Sequence, residues 1–236
     1  MGIGIPKKLL DEDVAVGLVK EYFAEGPDGR ARYSGRYFER LGGGGDRPEV
    51  ANLVTADDLL AVSMLSVPVV RHYALHVLEY RGSEISSLLA RIPVDVKLTD
   101  DGAGELIARD SPAWELWHLL RGIKPRLHRS RLGPVAAGKL LARKRPHLIP
   151  VYDSHVKKVL GRPRNDQTWW SDLRCQLVRD DAFVRELESV RARAGAGHLS
   201  LLRTFDVMCW MSQPSGVARS GRSRRSHGQR AGQAGQ

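Results

Sequence analysis

The chain has two cysteines, Cys175 and Cys209, in 236 residues. Two thiols make neither a four-cysteine iron–sulfur or zinc site nor a disulfide framework, so no cofactor and no metal centre is expected. No apolar run approaches the roughly 20 residues of a membrane-spanning helix. The opening MGIGIPKKLLDEDV lacks the apolar core of a secretory signal, and Gly2 lacks the spacing of a myristoylation signal. A reduced, cytoplasmic setting without membrane contact follows as an expectation. Nucleotide-binding glycine motifs and a Ser/His/Asp order are also missing. The glycines at 42–45 have neither a following Lys-Ser/Thr nor a preceding strand, and read as a flexible linker. Acidic residues are absent from 213–236, where five arginines supply half of the net charge of +10. With almost no apolar residues this tail cannot bury surface, and disorder is expected there. It either binds phosphate without sequence preference or serves as a solubilising end.

What remains, residues 1–212, has an ordinary globular make-up: the chain is 42% hydrophobic and 27% charged. It is long enough for one all-α domain, or two lobes, around a real core. Helical periodicity covers 11–25, 56–65, 69–80 and 83–90, then 113–121, 134–144, 154–160, 169–178, 182–194 and 200–211. Thr55 is a strong N-cap with Asp57 and Asp58 behind it, and Pro68 divides the helix that follows from the next. Residues 98–107 read as a loop. Residues 30–41 interleave Tyr33, Tyr37 and Phe38 with arginines, a pattern that serves either base stacking or a segment latched onto the core. His72 and His76 share a helical face, but without a third ligand they make a weak metal pair. Asp206 stands inside the apolar run of the last helix and should be paired or exposed.

The chain is organised around residues 129–161, RSRLGPVAAGKLLARKRPHLIPVYDSHVKKVLG. Gly133 and Pro134 suit a helix start, and Pro146 suits its end. Arg143, Lys144 and Arg145 fall in the last turn, where cations complement the helix dipole. A helix over 134–144 is about 16 Å long. The eight residues 145–152 reach about 26 Å when extended, enough to return along it. Asp153 can therefore come back beside the free amides at Gly133, on a surface with Lys139, Lys157 and Lys158. As a helix N-cap Asp153 has a sufficient structural reason to be there, worth about 1 kcal/mol. A carboxylate beside an anion-binding helix start also makes a plausible nucleic-acid site.

This stretch resembles the core of the helix-hairpin-helix DNA glycosylases, the endonuclease III-like superfamily. Leu132-Gly133 stands where the hairpin ends, and Tyr152-Asp153-Ser154-His155-Val156 resembles the family's aspartate segment, twenty residues after the last hairpin glycine. Asp58 to Ser66 is similar to the family's early helix. The likeness departs at Arg129, Ser130 and Arg131, where the hairpin has Leu-Pro-Gly, and at Val135, where strand-cleaving members carry a Schiff-base lysine. Lys139 lies one turn beyond that place. The LLARKRP and LIPVYD runs, with Leu202-Arg203, Asp206-Val207 and Trp210-Met211, also resemble an uncharacterised bacterial family of unknown function.

The glycosylase resemblance implies base excision on DNA without strand scission. Asp153 would be the catalytic residue, and Arg129, Arg131, Gly133, Lys139, Lys157 and Lys158 would contact DNA. Two other readings stand beside it: a non-catalytic DNA-binding or damage-recognition module, and a helical protein-interaction domain.

Overall fold

Side-chain caps set where the helices begin. In the computed structural model, which describes residues 3–69, 71–122, 133–163 and 167–213, Asp11 accepts from the Val14 amide at 3.1 Å and opens α1 (Glu12–Phe23). Thr55 and Asp58 form a reciprocal capping box, Asp58 N–H to Thr55 Oγ1 at 3.3 Å and Thr55 N–H to Asp58 Oδ2 at 3.0 Å, at the head of α2 (Ala56–Met64). A short α3 (Arg71–Leu75) runs on as a π turn (His76–Tyr80), then comes α4 (Gly82–Ala90). The region read as a loop holds a one-turn helix, α5 (Ala103–Leu106), entered through Gly102 at φ 80°. Four residues carry too little periodicity for sequence reasoning to see. The remaining helices are α6 (Pro112–Gly122), α7 (Pro134–Lys144), α8 (Ser154–Val159), α9 (Trp169–Arg179), α10 (Asp181–Arg193) and α11 (Leu201–Met211). No strand occurs among the described residues beyond an isolated bridge between Glu25 and Ala31. The fold is all-α. No described helix is long and apolar enough to cross a membrane. Arg129, Arg131 and the tail from 214 onward lie outside the described residues.

Helix α7 sits between α2 and α6, while α8 packs on α11, and α1 closes against α10 and α11. Ala136, Ala137, Leu140, Leu141 and Ala142 of α7 are all buried. So is the basic end of the helix, where Arg143 and Lys144 stand in the last turn as expected but face inward rather than solvent. Arg143, Lys144 and Arg145 are 3%, 1% and 1% exposed. Asp58 takes Arg143 Nε at 3.1 Å on one oxygen and Lys144 Nζ at 3.0 Å on the other. Arg143 also donates to the Phe38 and Leu41 carbonyls, and Lys144 to Val50 O at 2.8 Å. Arg145 donates to the carbonyls of Ile92 (2.6 Å), Ala51 (2.8 Å) and Leu89 (2.6 Å) and to Asn52 Oδ1 (2.7 Å). These cations staple loops to the helix. Burial lowers the Lys144 ammonium below its usual value and Arg145 to about 10. The glycines at 42–45 are part of the same packing rather than a linker. A Cβ on Gly45 would lie 2.7 Å from Arg143 Nε, the Arg143 carbonyl and Asp58 Oδ1.

The return segment is only partly extended. Leu148 and Ile149 N–H groups both turn back to the Arg145 carbonyl, at 3.1 and 2.9 Å, before the chain straightens towards Asp153. It still brings Asp153 onto α7, at Lys139.

Candidate functional site

Asp153 caps α8. Its Oδ1 accepts from the amides of His155 at 2.9 Å and Val156 at 3.2 Å, and its Oδ2 accepts from Lys139 Nζ at 3.1 Å. A carboxylate offers about four acceptor positions, so roughly one direction stays open. Lys139 Nζ donates also to the Leu65 carbonyl at 2.9 Å, just past the end of α2. The next residue, Ser66, has φ 61°, in the left-handed region that a serine rarely occupies. One buried lysine in the middle of α7 thus ties that helix to the end of α2 and the start of α8.

These groups line a cavity of about 330 Å³. Its aromatic wall is Tyr22 stacked on Tyr33, with ring centres 5.5 Å apart and planes 10° apart, and Trp210 edge-on to both at 5.7 and 5.2 Å. His155 approaches Trp210 edge-on at 5.9 Å. Gly35 completes the wall because nothing larger fits there: a Cβ would lie 1.9 Å from Tyr22 Oη. Deeper in, Arg203 donates to Tyr22 Oη at 2.9 Å, Glu39 Oε1 at 2.5 Å, the Gly35 carbonyl at 3.3 Å and Asp206. Asp206 is therefore paired.

Three carboxylates here (Asp153, Asp206, Glu39) face two cations, Lys139 and Arg203, and their environments drive the two aspartates apart. Burial opposes ionisation of Asp153, but Lys139 and the Val156 amide outweigh it and hold the carboxyl below its usual range. Burial pushes Asp206 up to about 6, against Arg203 and with the help of the Asp153 charge. The cavity therefore holds one carboxylate that stays ionised and one able to carry a proton near neutral pH.

Of the residues singled out from sequence, the structure brings Lys139 and Asp153 together in this cavity. Lys139 is 4% exposed, and its charge is turned inward. Gly133 caps α7 through its backbone, with no side-chain cap. Lys157 lies over the Tyr152 ring, 4.7 Å from its centre, and Lys158 is exposed. Among the described residues no group of three or more His, Cys, Asp or Glu side chains is placed to hold a metal, and His76 packs edge-on to Tyr80 at 5.3 Å. Sequence reasoning missed Tyr22, Tyr33, Ser66, Arg203 and Trp210 as cavity residues. Arg203 had a signal: an arginine three residues before Asp206 in an apolar helix points to a pair on one face.

No curated protein and no solved structure matches the chain. Nothing in these comparisons supports the glycosylase likeness, whereas the likeness to an uncharacterised family holds. Residues 15–213 match DUF6308, a family of unknown function, and the chain belongs to that family.

Proposed function

We propose that the chain binds DNA and that the Asp153 cavity receives a single base for hydrolysis of its N-glycosidic bond, without strand scission. The observation that carries this reading is an ionised, buried carboxylate on the wall of a cavity with stacked aromatic rings. At about 330 Å³ the cavity is within the usual range of small-molecule sites. A base drawn out of a duplex finds ring faces to pack on. The C1′–N bond then breaks with its electron pair leaving on the base nitrogen. Water adds its hydroxyl to C1′, and its proton goes to the departing base. Asp153 stabilises the positive charge that develops on the sugar. Val135 in place of the Schiff-base lysine accords with hydrolysis alone, and Lys139, committed to Asp153 and Leu65, is not a nucleophile.

A second reading, damage recognition without chemistry, draws on that same ion pair, because Lys139 already neutralises the charge that catalysis would use. Incubation with duplexes carrying a panel of damaged and mismatched bases separates the two. Release of a free base by the wild type and its loss in Asp153→Asn supports excision. Preferential binding to a duplex with an abasic-site analogue, with no release from any member, supports recognition alone. Equal binding to intact and abasic duplexes overturns both.

A further inference from the structure

The buried charges around the Asp153 cavity do not balance. Asp153 has Lys139 to itself, with Nζ at 3.1 Å from Oδ2. Arg203 is shared: its Nε donates to Glu39 Oε1 at 2.5 Å, and a terminal nitrogen donates to Asp206 Oδ2. Two cations thus serve three carboxyls, and a buried carboxylate without a countercharge of its own is costly. The arrangement favours a proton on one of them. Asp206 is the one placed to use it. It is 3% exposed, Arg203 holds only its Oδ2, and among the described residues no donor reaches Oδ1. Asp206 also lines the same cavity as Asp153, whereas Glu39 lines a smaller one, of about 80 Å³, that shares Arg203 with it.

The other groups that act on Asp206 come from several elements. On α11 itself stand Arg203 and the Cys209 thiol, which burial keeps protonated. From α1 comes the Tyr22 phenol, also kept protonated by burial, with its oxygen accepting from Arg203 at 2.9 Å. Glu39 stands beyond Arg203, Lys139 comes from α7, and Asp153 and His155 come from α8. The buried side chains of α10, Phe183, Leu187 and Val190, are apolar. We propose that Asp206 is the proton donor of the excision reaction and hands its proton to the departing base. This deepens the excision reading and rests on it. As the C1′–N bond breaks, its electron pair goes to the base, which takes the Asp206 proton in a new N–H bond. Water adds its hydroxyl to C1′ and gives up a proton, which restores Asp206, so the net reaction is the same hydrolysis. Asp153 stabilises the sugar cation while Asp206 supplies the acid, a division of work between two carboxyls in unlike surroundings. The substrates that need such a donor are neutral bases; a base that is already cationic leaves without one.

The test follows single-turnover base release by the full chain between about pH 5 and 8.5. The duplexes carry uracil, hypoxanthine, 8-oxoguanine or 7-methylguanine, the last already cationic. Release of a neutral base should fall about tenfold per pH unit above about pH 6, the value to which burial pushes Asp206. Asp206→Asn should abolish that fall and slow neutral-base release about a hundredfold or more at about pH 5.5. Any release of 7-methylguanine should slow far less. Glu39→Gln leaves Arg203 to Asp206 alone, so the fall should persist but begin at lower pH. Circular dichroism checks that both variants fold, and the wild-type profile with Glu39→Gln decides the matter if Asp206→Asn does not. Neutral-base release that is flat with pH, or the same fall in Asp206→Asn, overturns the proton donor and leaves excision standing. A fall abolished by Glu39→Gln assigns the proton to Glu39 and overturns it as well. So does release of 7-methylguanine alone, which needs no acid. Release from none of the duplexes overturns excision itself, and the donor role with it.

Discussion

Replacing Lys139 by methionine removes the countercharge of Asp153 while keeping an unbranched apolar stem only one atom shorter. The pair is buried, with the two side chains 5% and 11% exposed. Breaking a buried pair from one side costs about 3–5 kcal/mol, because the remaining charge is stranded. The lower end applies here, about 3 kcal/mol, since the amides of His155 and Val156 still hold Asp153 Oδ1. For a chain of this size 1 kcal/mol moves the melting temperature by about 2–4 °C, so Lys139→Met should melt about 6–12 °C lower at pH 7.5. In the wild type the Asp153 pKa is below its ordinary value, so its stabilisation is present above about pH 4 and is lost as the pH falls further. In the variant, burial acts without Lys139 and lifts that pKa, so stability is lost as the pH rises instead. The loss in the variant makes the gap widest near neutrality and smaller towards pH 5, because the wild-type contribution fades only below about pH 4. Adding Asp153→Asn to Lys139→Met removes the stranded charge and keeps an N-cap, and should recover most of the loss. About 1 kcal/mol remains for the Leu65 carbonyl that loses its donor. Scanning fluorimetry of the three variants at pH 5.0 and 7.5 reads all of this. A single variant within about 2 °C of wild type at pH 7.5 refutes the reasoning, as does a double variant no more stable than Lys139→Met.

Asp206→Asn tests the other carboxyl. With a folded pKa of about 6, above the ordinary carboxylate value, wild-type Asp206 contributes fully below about pH 4 and loses that contribution as the pH rises through about 6. Asparagine has no such loss. The stability of the variant relative to wild type should therefore rise by on the order of 2–3 kcal/mol between pH 4 and 7.5 in urea titrations, and a flat difference refutes the assignment. Gly45→Ala places a methyl 2.7 Å from Arg143 and Asp58. It should cost about 1–3 kcal/mol in the same titrations. A neutral result there shows the loop to be the slack linker that its composition implies.

Most of the helices were legible because each carries its own periodicity and cap: Thr55 with Asp58, Gly133 with Pro134, and Asp153 all stand where a helix begins. The arrival of Asp153 on α7 was legible too, since it follows from chain length and helix rise. The aromatic wall was not. Tyr22, Tyr33 and Trp210 come from widely separated stretches of the chain and meet only because α1 closes on α11. No local pattern records that closure. α5 and the left-handed Ser66 were invisible for a different reason, because each is a tertiary choice made at one or a few residues.

The basic residues mislead most instructively. Sequence reasoning places a lysine or arginine in solvent or on phosphate, because burying one is costly unless it is paired. Yet Lys139, Arg143, Lys144, Arg145 and Arg203 are all buried here, against Asp58, Asp153, Asp206, Glu39 and a series of loop carbonyls. Five cations and four acids then largely cancel inside the fold. The net +10 of the chain is consequently not a measure of what the helix α7 region offers to DNA. Each phosphate neutralised contributes about −0.9 to the slope of log affinity against log salt on duplex DNA and about −0.7 on a single strand. A protein that bound mainly through its charge would show a steep negative slope, set by how many phosphates its lysines and arginines contact. One that binds by taking a base into the Asp153 cavity, whose lysine and arginine are already paired with acids, should show a shallow slope, with affinity instead following the presence of a base.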